Sequence, residues 1–170
     1  MTTTAPSREA AAASATAPSH GSMSSDRLWD TQVGKDPAFL LARANALSLA
    51  RMHDVLAEYG LQARSYSLLA IAAADARPSQ RELSEFLRLD PSQIVALIDQ
   101  LERRDLVRRE PDPNDRRAKV VIATESGREL AARARDSVVE SDQGWFAQLP
   151  SADDRDALFS ALRTLADPRA

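Results

Sequence analysis

Cysteine is absent from the 170 residues, which removes disulfides, thiolate metal sites and thiol redox sensing together. Histidine occurs only at His20 and His53, too few and too far apart for a zinc site, so no metal or other cofactor is expected. No apolar run approaches the roughly 18 residues needed to span a bilayer. The amino terminus lacks an unbroken apolar signal core, and a cytoplasmic protein with no membrane partner is the expectation. A nucleophile–base signature, a glycine-rich phosphate loop and a metal cluster are all missing, and the carboxylates fall on predicted solvated faces. An enzyme is therefore not expected. Glycine is scarce, at five residues, which favours helices over a β-sandwich. The length suits one domain with room for a tail.

What remains is an uneven charge distribution. The formal net charge is −3, yet residues 103–119 carry seven basic side chains (Arg103, Arg104, Arg108, Arg109, Arg116, Arg117, Lys119) against four acidic ones. From Arg135 onward four basic residues face seven acidic ones. A basic patch on an acidic body is the footprint of a DNA reader whose other surfaces avoid DNA.

Residues 1–25 are rich in Ala, Ser, Thr and Pro and nearly devoid of large apolar side chains. They cannot bury enough surface to offset their ordering entropy, so a disordered tail is expected. Leu28 and Trp29 follow as a short docking segment. Asp36-Pro37, an N-cap with proline at the first helical position, opens a helix to about Tyr59, which Gly60 stops. Its apolar face is broad: Leu40, Ala44, Leu47, Met52, Val55, Leu56 and Tyr59. A second helix covers about Ala63 to Ala74, with Tyr66, Leu69, Ala70 and Ala73 inward.

Ser79-Gln-Arg-Glu82 reads as a capping box for a short third helix bearing Leu83, Phe86 and Leu87. After the turn Leu89-Asp90-Pro91, a fourth helix buries Ile94, Leu97, Ile98 and Leu101. Helix, short turn, helix is the helix-turn-helix spacing. Val107 to Glu110 and Lys119 to Ala123 read as strands, with Val120 and Ile122 on one face. Between them Pro111-Asp-Pro-Asn-Asp115 is turn chemistry, its prolines blocking extension of either strand. Thr124 caps a helix from about Ser126 to Ala147, and Ser151 caps a last one to about Ala166, with Leu158, Leu162 and Leu165 on one side. The fold class is mostly α, a winged helix-turn-helix in the order α-α-α-α-β-β-α-α. A rod for the major groove is followed by a basic hairpin for the neighbouring backbone or minor groove.

The motif Asp115-Arg116-Arg117, then Val120-Val121-Ile122-Ala123-Thr124-Glu125-Ser126-Gly127, resembles the MarR family of bacterial transcriptional regulators. That family's pattern is Asp-x-Arg at the wing, an apolar strand, and Thr-x-x-Gly opening the next helix. Leu101-Glu102-Arg103-Arg104 and Leu106-Val107 also fit its helix exit, and the likeness spans about residues 36–166. It implies one winged-helix domain over residues 26–166, with dimerisation helices at 36–60 and 126–166 and a DNA-binding part at 63–124. It further implies a homodimer on pseudo-palindromic double-stranded DNA, released by a small, often aromatic and anionic effector. Three departures stand out. Asp105 replaces the usual Gly at a left-handed C-cap. Ala123 stands where Leu is common. Val95 and Ala96 occupy positions where many relatives carry Thr and Arg, so reading by that arginine is absent and must shift to other residues or to DNA shape.

Opposite the buried stripe of the fourth helix, Ser92, Gln93, Ala96 and Gln100 are expected to face outward. Gln93 either pairs with adenine or completes a cap with Asp90, and Val95 or Ala96 can touch a thymine methyl. Arg116 and Arg117 at the wing tip suit the minor groove or phosphates, with Asp115 orienting Arg117 or capping the turn. Ser65, Ser79 and Gln80 lie at helix starts, suited to a phosphate or to ordinary capping. Arg103, Arg104 and Arg108 have surface ion pairs as their alternative. For an effector, Arg43, Arg51, His53 and Tyr66 are candidate liners between the dimer helices and the reading head, with packing or exposure as the alternative. Trp145 and Phe146 read as core or dimer packing. The leading function is a dimeric repressor. The competing one is a winged-helix protein–protein module without DNA binding, motivated by ten basic against nine acidic residues over 77–119.

Overall fold

The computed structural model describes Met1 and residues 26–112 and 118–167; the expected tail and the wing tip, with Asp115, Arg116 and Arg117, lie outside the described residues. The chain falls into two compact units, Met1–Arg43 and Ala44–Ala170. In the first, helix α1 (Asp26–Trp29) and a 3-10 turn (Val33–Lys35) precede the start of α2 (Pro37–Ala57). The expected cap is present: Asp36 Oδ1 accepts from the amides of Ala38 at 2.8 Å and Phe39 at 3.2 Å.

The second unit holds the rest of α2, then α3 (Ala63–Ala73), α4 (Gln80–Leu87), α5 (Pro91–Arg103), strands β1 (Val107–Pro111) and β2 (Lys119–Ala123), α6 (Glu125–Phe146) and α7 (Ala152–Ala166). This is the expected order, with α1 and the 3-10 turn added in front. Gly60 ends α2 at φ 60°, where a side chain would be strained. Arg104 then takes up the freed carbonyls, donating to Tyr59 O at 2.9 Å and Gly60 O at 2.6 Å. The capping box at α4 forms as read, with Ser79 Oγ accepting from Glu82 N at 3.2 Å and Ser79 N donating to Glu82 Oε2 at 2.7 Å.

The core lies where α3, α5, α6 and the sheet meet. Leu56, Leu68, Leu69, Leu83, Ile94, Ile98, Leu101 and Val121 are all essentially inaccessible. Two apolar faces are broader than their spacing suggests. On α3 the fully buried residues are Ser65, Leu68, Leu69 and Ala72, whereas Tyr66, Ala70 and Ala73 are half-buried. The helix packs against α5, α6 and β2 rather than one neighbour, so no single stripe describes it. In β2, Val120 through Ala123 are all buried, on both faces rather than one. The reason is a second pairing of β2, invisible to a two-strand reading. Val121 N donates to Pro78 O at 2.8 Å, and Ser79 bridges Val120, so the edge of β2 away from β1 is covered as well. Pro111 also sits inside the ladder, opposite Lys119, as the last residue of an edge strand, where its missing N–H costs nothing.

The junction of wing and α6 explains the Thr-x-x-Gly motif. Thr124 Oγ1 accepts from Gly127 N at 3.0 Å while donating to Asp105 O at 2.6 Å. A Cβ on Gly127 would fall 1.9 Å from Leu106 O, so only glycine lets the backbones approach this closely. Asp105 itself adopts φ 54°, the left-handed C-cap expected there.

The terminal helices are thinly buried. α7 has no buried residue, and Phe159, Leu162 and Leu165 are exposed. In α2 only Leu56 is buried, while Leu40, Leu41, Leu47 and Leu49 stand open.

Candidate nucleic-acid interface

Helices α4 and α5 are joined by a turn whose geometry follows from local chemistry. Arg88 ends α4 in the left-handed region at φ 54°, and Ser84 Oγ donates to Leu89 O at 2.6 Å. Asp90 and Pro91 then start α5 in a new direction. Ile94, Ile98 and Leu101 point into the core, which leaves the other side of α5 open. Ser92, Gln93, Ala96 and Gln100 all lie on that exposed side, with Val95 beside them. The four expected positions are thus brought together.

Their chemistry is more constrained than spacing revealed. Gln93 Oε1 accepts from Asp90 N at 3.2 Å, so in this conformation the capping alternative holds its carbonyl. At α4, Ser79 Oγ donates to Glu82 Oε2 at 2.7 Å; both Ser79 and Gln80 are half-buried. Ser65 must be corrected. It is 2% exposed, and its hydroxyl is engaged by Gln62 N and Gln62 O, both at 2.9 Å. It is the third residue of α3, closing a box with Gln62, and its hydroxyl does not face solvent where a phosphate would lie.

The basic cluster is partly consumed within the protein. Arg109 pairs with Asp99 at 2.7 Å and with Glu102, whose Oε1 also accepts the Arg109 amide at 2.9 Å. This clamp ties β1 to α5, and the Arg109 side chain is only 17% exposed. Strand alternation places Arg109 on the same side as buried Val107; that was the signal by which it was recognisable. Arg108 and Arg77 share Glu110, at 2.8 and 3.1 Å. The Arg108 hydrogen bond, with Arg77 adding to it, holds the Glu110 carboxyl below its ordinary value. The surface-pair alternative therefore describes Arg108, and Arg104 serves as the cap of α2. Arg103 and Lys119 are in no ion pair among the described residues.

Of the effector candidates, Arg51 and Tyr66 share surroundings. Arg51 Nη2 donates to Asp142 Oδ1 at 3.0 Å and Ser141 Oγ at 3.1 Å, and the guanidinium lies 4.5 Å over the Trp145 ring. Its Nη1 is buried with no hydrogen-bond partner among the described residues. Burial pushes the Tyr66 hydroxyl pKa up; Arg135 opposes this and Asp142 reinforces it, so at neutral pH Tyr66 remains a protonated donor. Trp145 also packs on Phe146 at 4.9 Å, and Phe146 meets Phe159 of α7 edge-on at 4.8 Å. Sequence reading missed Asp142 and Ser141, one helical face of α6 shared with Trp145. His53 is exposed, and no contact joins it to the pair. Arg43 belongs to the first unit, where it lies 5.1 Å over Trp29 and lines an apolar cavity of about 310 Å³ with Leu28, Val33 and Phe39. Among the described residues no His, Asp or Glu cluster can hold a metal ion, and no helix is long and apolar enough to cross a membrane.

A helix-turn-helix with an exposed second helix, followed by a two-stranded wing, defines a winged-helix DNA-binding protein. The family model described as MarR matches residues 61–119. A crystal structure of a MarR-family transcriptional regulator from Rhodococcus sp. RHA1 is 37% identical, superposes with a TM-score of 0.75, and the match covers 81% of this chain and 98% of that one. CouR from Rhodococcus jostii RHA1, bound to p-coumaroyl-CoA, is 36% identical with a TM-score of 0.73, covering 81% and 97%. The transcriptional repressor CouR on a 23-mer DNA duplex gives 30% identity and a TM-score of 0.72, covering 79% and 95%. A protein of Thauera aromatica, provisionally assigned as transcriptional regulatory protein for the hcr operon, is 30% identical over 146 residues, or 86% of this chain and 82% of that one. The chain belongs to the MarR family of transcriptional regulators, which are DNA-binding proteins rather than enzymes.

Proposed function

We propose that the protein is a homodimeric repressor that binds a pseudo-palindromic operator and is released by a small anionic aromatic ligand. The observation that carries this reading is the exposed side of α5, with Ser92, Gln93, Ala96 and Gln100 opposite the buried Ile94, Ile98 and Leu101. Ser79 and Gln80 start α4, where backbone amides favour a phosphate, and the sequence adds Arg116 and Arg117 at the wing, with Asp115 to orient Arg117 or cap the turn. The unpartnered leucines of α2 and α7 support pairing of two copies through residues 36–60 and 126–166. Two-fold symmetry then spaces the half-sites by about one helical turn, roughly 34–36 Å. Such a repressor works in the cytoplasm, on chromosomal DNA.

The effector part draws on Arg51, a cation with an unused donor, and on Tyr66, a neutral hydroxyl, both of which interact with Asp142, and on the p-coumaroyl-CoA bound by the 36%-identical CouR. Arg43 and His53 are kept as outer candidates. Fluorescence anisotropy with the promoter duplex adjoining the gene tests DNA binding. If each subunit neutralises four phosphates, log–log affinity against salt falls with a slope of about −7. A dimer mass by light scattering and dissociation of the complex by p-coumaroyl-CoA or a simple aromatic acid complete the test. A monomer that ignores DNA at 50 mM salt overturns the reading. That outcome would favour a protein–protein module, whose support is the internal pairing of Arg104, Arg108 and Arg109.

A further inference from the structure

We infer that the recognition helix identifies its operator chiefly through thymine methyl groups, with Val95 as the specificity-determining residue and Ala96 beside it. This rests on the DNA-binding reading above and deepens it. Over the first two turns of α5 the exposed residues are Pro91, Ser92, Gln93, Val95 and Ala96, and none is charged. No guanidinium there can grip guanine O6 and N7, the commonest specific contact in the major groove. The Gln93 carbonyl, which an adenine pairing needs, accepts instead from Asp90 N at 3.2 Å. The carboxylates further along the helix that would accept from cytosine N4 are occupied too. Asp99 is paired to Arg109 at 2.7 Å, and Glu102 binds both the Arg109 side chain and its amide.

Over these first two turns every strong polar reader is therefore absent or engaged, and the face keeps small apolar groups and one serine hydroxyl; Gln100, a turn further along, is the exposed amide that remains. Val95 is 39% exposed although its neighbour Ile94 is wholly buried. A β-branched side chain on a helix is confined to essentially one rotamer, so its methyls are presented without further entropic cost. Ala96, with only a Cβ, lets the helix approach the groove floor closely. The one feature of a base pair that such a surface can discriminate is the C5 methyl of thymine, which distinguishes T·A in the major groove and is lost in uracil.

The test uses the full-length protein and a random-sequence duplex pool. The enriched consensus duplex is resynthesised with deoxyuridine replacing one thymine at a time, which removes a methyl and leaves the pairing intact. At one or two symmetry-related positions in each half-site, affinity is expected to fall about fourfold per methyl. The Val95→Ala protein, altered at an exposed position that the core does not need, is expected to bind the parent duplex more weakly and to lose the penalty at one of those positions. If every deoxyuridine duplex binds as tightly as the parent, methyl reading is overturned while DNA binding stands. If the penalties are unchanged in Val95→Ala, the assignment to Val95 is overturned. If no sequence is enriched, the regulator reading fails, and this inference with it.

Discussion

Replacing Gly127 by alanine should be among the most damaging single changes available in this protein, although helix propensity alone favours it. The added Cβ would stand 1.9 Å from Leu106 O and 2.8 Å from Leu106 C. A carbon–oxygen contact is comfortable near 3.3 Å, so about 1.4 Å must open between two backbones. Leu106 is 5% exposed and cannot swing away. Its carbonyl accepts Thr124 N at 3.1 Å, and Asp105 O next to it accepts the hydroxyls of Thr124 and Ser126 at 2.6 and 2.7 Å. Overpacking against backbone costs about 1–3 kcal/mol, and a weakened cap with its hydrogen bonds about 1 kcal/mol more. Alanine's helical preference returns somewhat under 1 kcal/mol. The net expectation is a loss of roughly 1–3 kcal/mol. Urea unfolding followed by far-ultraviolet circular dichroism, at one fixed protomer concentration, measures it. Gly144 in the same helix is the control. Nothing lies within 4 Å of its would-be Cβ, so Gly144→Ala should stabilise by about 0.5–1 kcal/mol. A Gly127→Ala protein as stable as the parent would refute the close-approach argument, as would equal losses at both sites.

Asp105 sits at φ 54°, so Asp105→Gly is expected to raise stability by about 0.5–1 kcal/mol in the same urea assay, and no change would mean that the left-handed strain is negligible. Arg109→Ala removes the clamp between β1 and α5 and leaves the partly buried Glu102 and the Asp99 carboxylate without it. A loss of about 1–2 kcal/mol in stability, together with weaker DNA binding by anisotropy, is the expected outcome; unchanged DNA affinity would show that the wing angle does not depend on this residue. The Glu82 carboxyl is held below its ordinary 4.5 by the Ser79 amide first and the Ser79 hydroxyl second. A depressed carboxylate contributes stability above its unfolded value, and that contribution is lost as pH falls through the folded one. Melting temperature should therefore decline below about pH 4.5 less steeply in Glu82→Gln than in the parent, and parallel curves would remove Glu82 from the acid response.

The local grammar of the chain was readable because each signal acts within a few residues. Asp36, Ser79, Thr124 and Ser151 each accept amides two or three residues ahead, so a polar residue before an apolar period was enough to find each helix start. The stripe Ile94, Ile98 and Leu101 follows from the 3.6-residue repeat, and its opposite side had to hold the candidate DNA contacts. Spacing could not decide which polar groups remain available once the chain closes. Ser65 went into the interior because α3 is surrounded on several sides. Gln93 turned back to Asp90. Arg109 found Asp99 and Glu102, ten and seven residues away, because strand pairing turned β1 against α5. Likewise Pro78 reached Val121 across 43 positions of chain and covered the second edge of β2. Sequence by itself determined the elements, their caps and the side of α5 left open, all consequences of short-range hydrogen bonding and periodic burial. Only the tertiary structure decided which charges and amides are spent internally, because such pairing depends on distances between elements that no local pattern encodes.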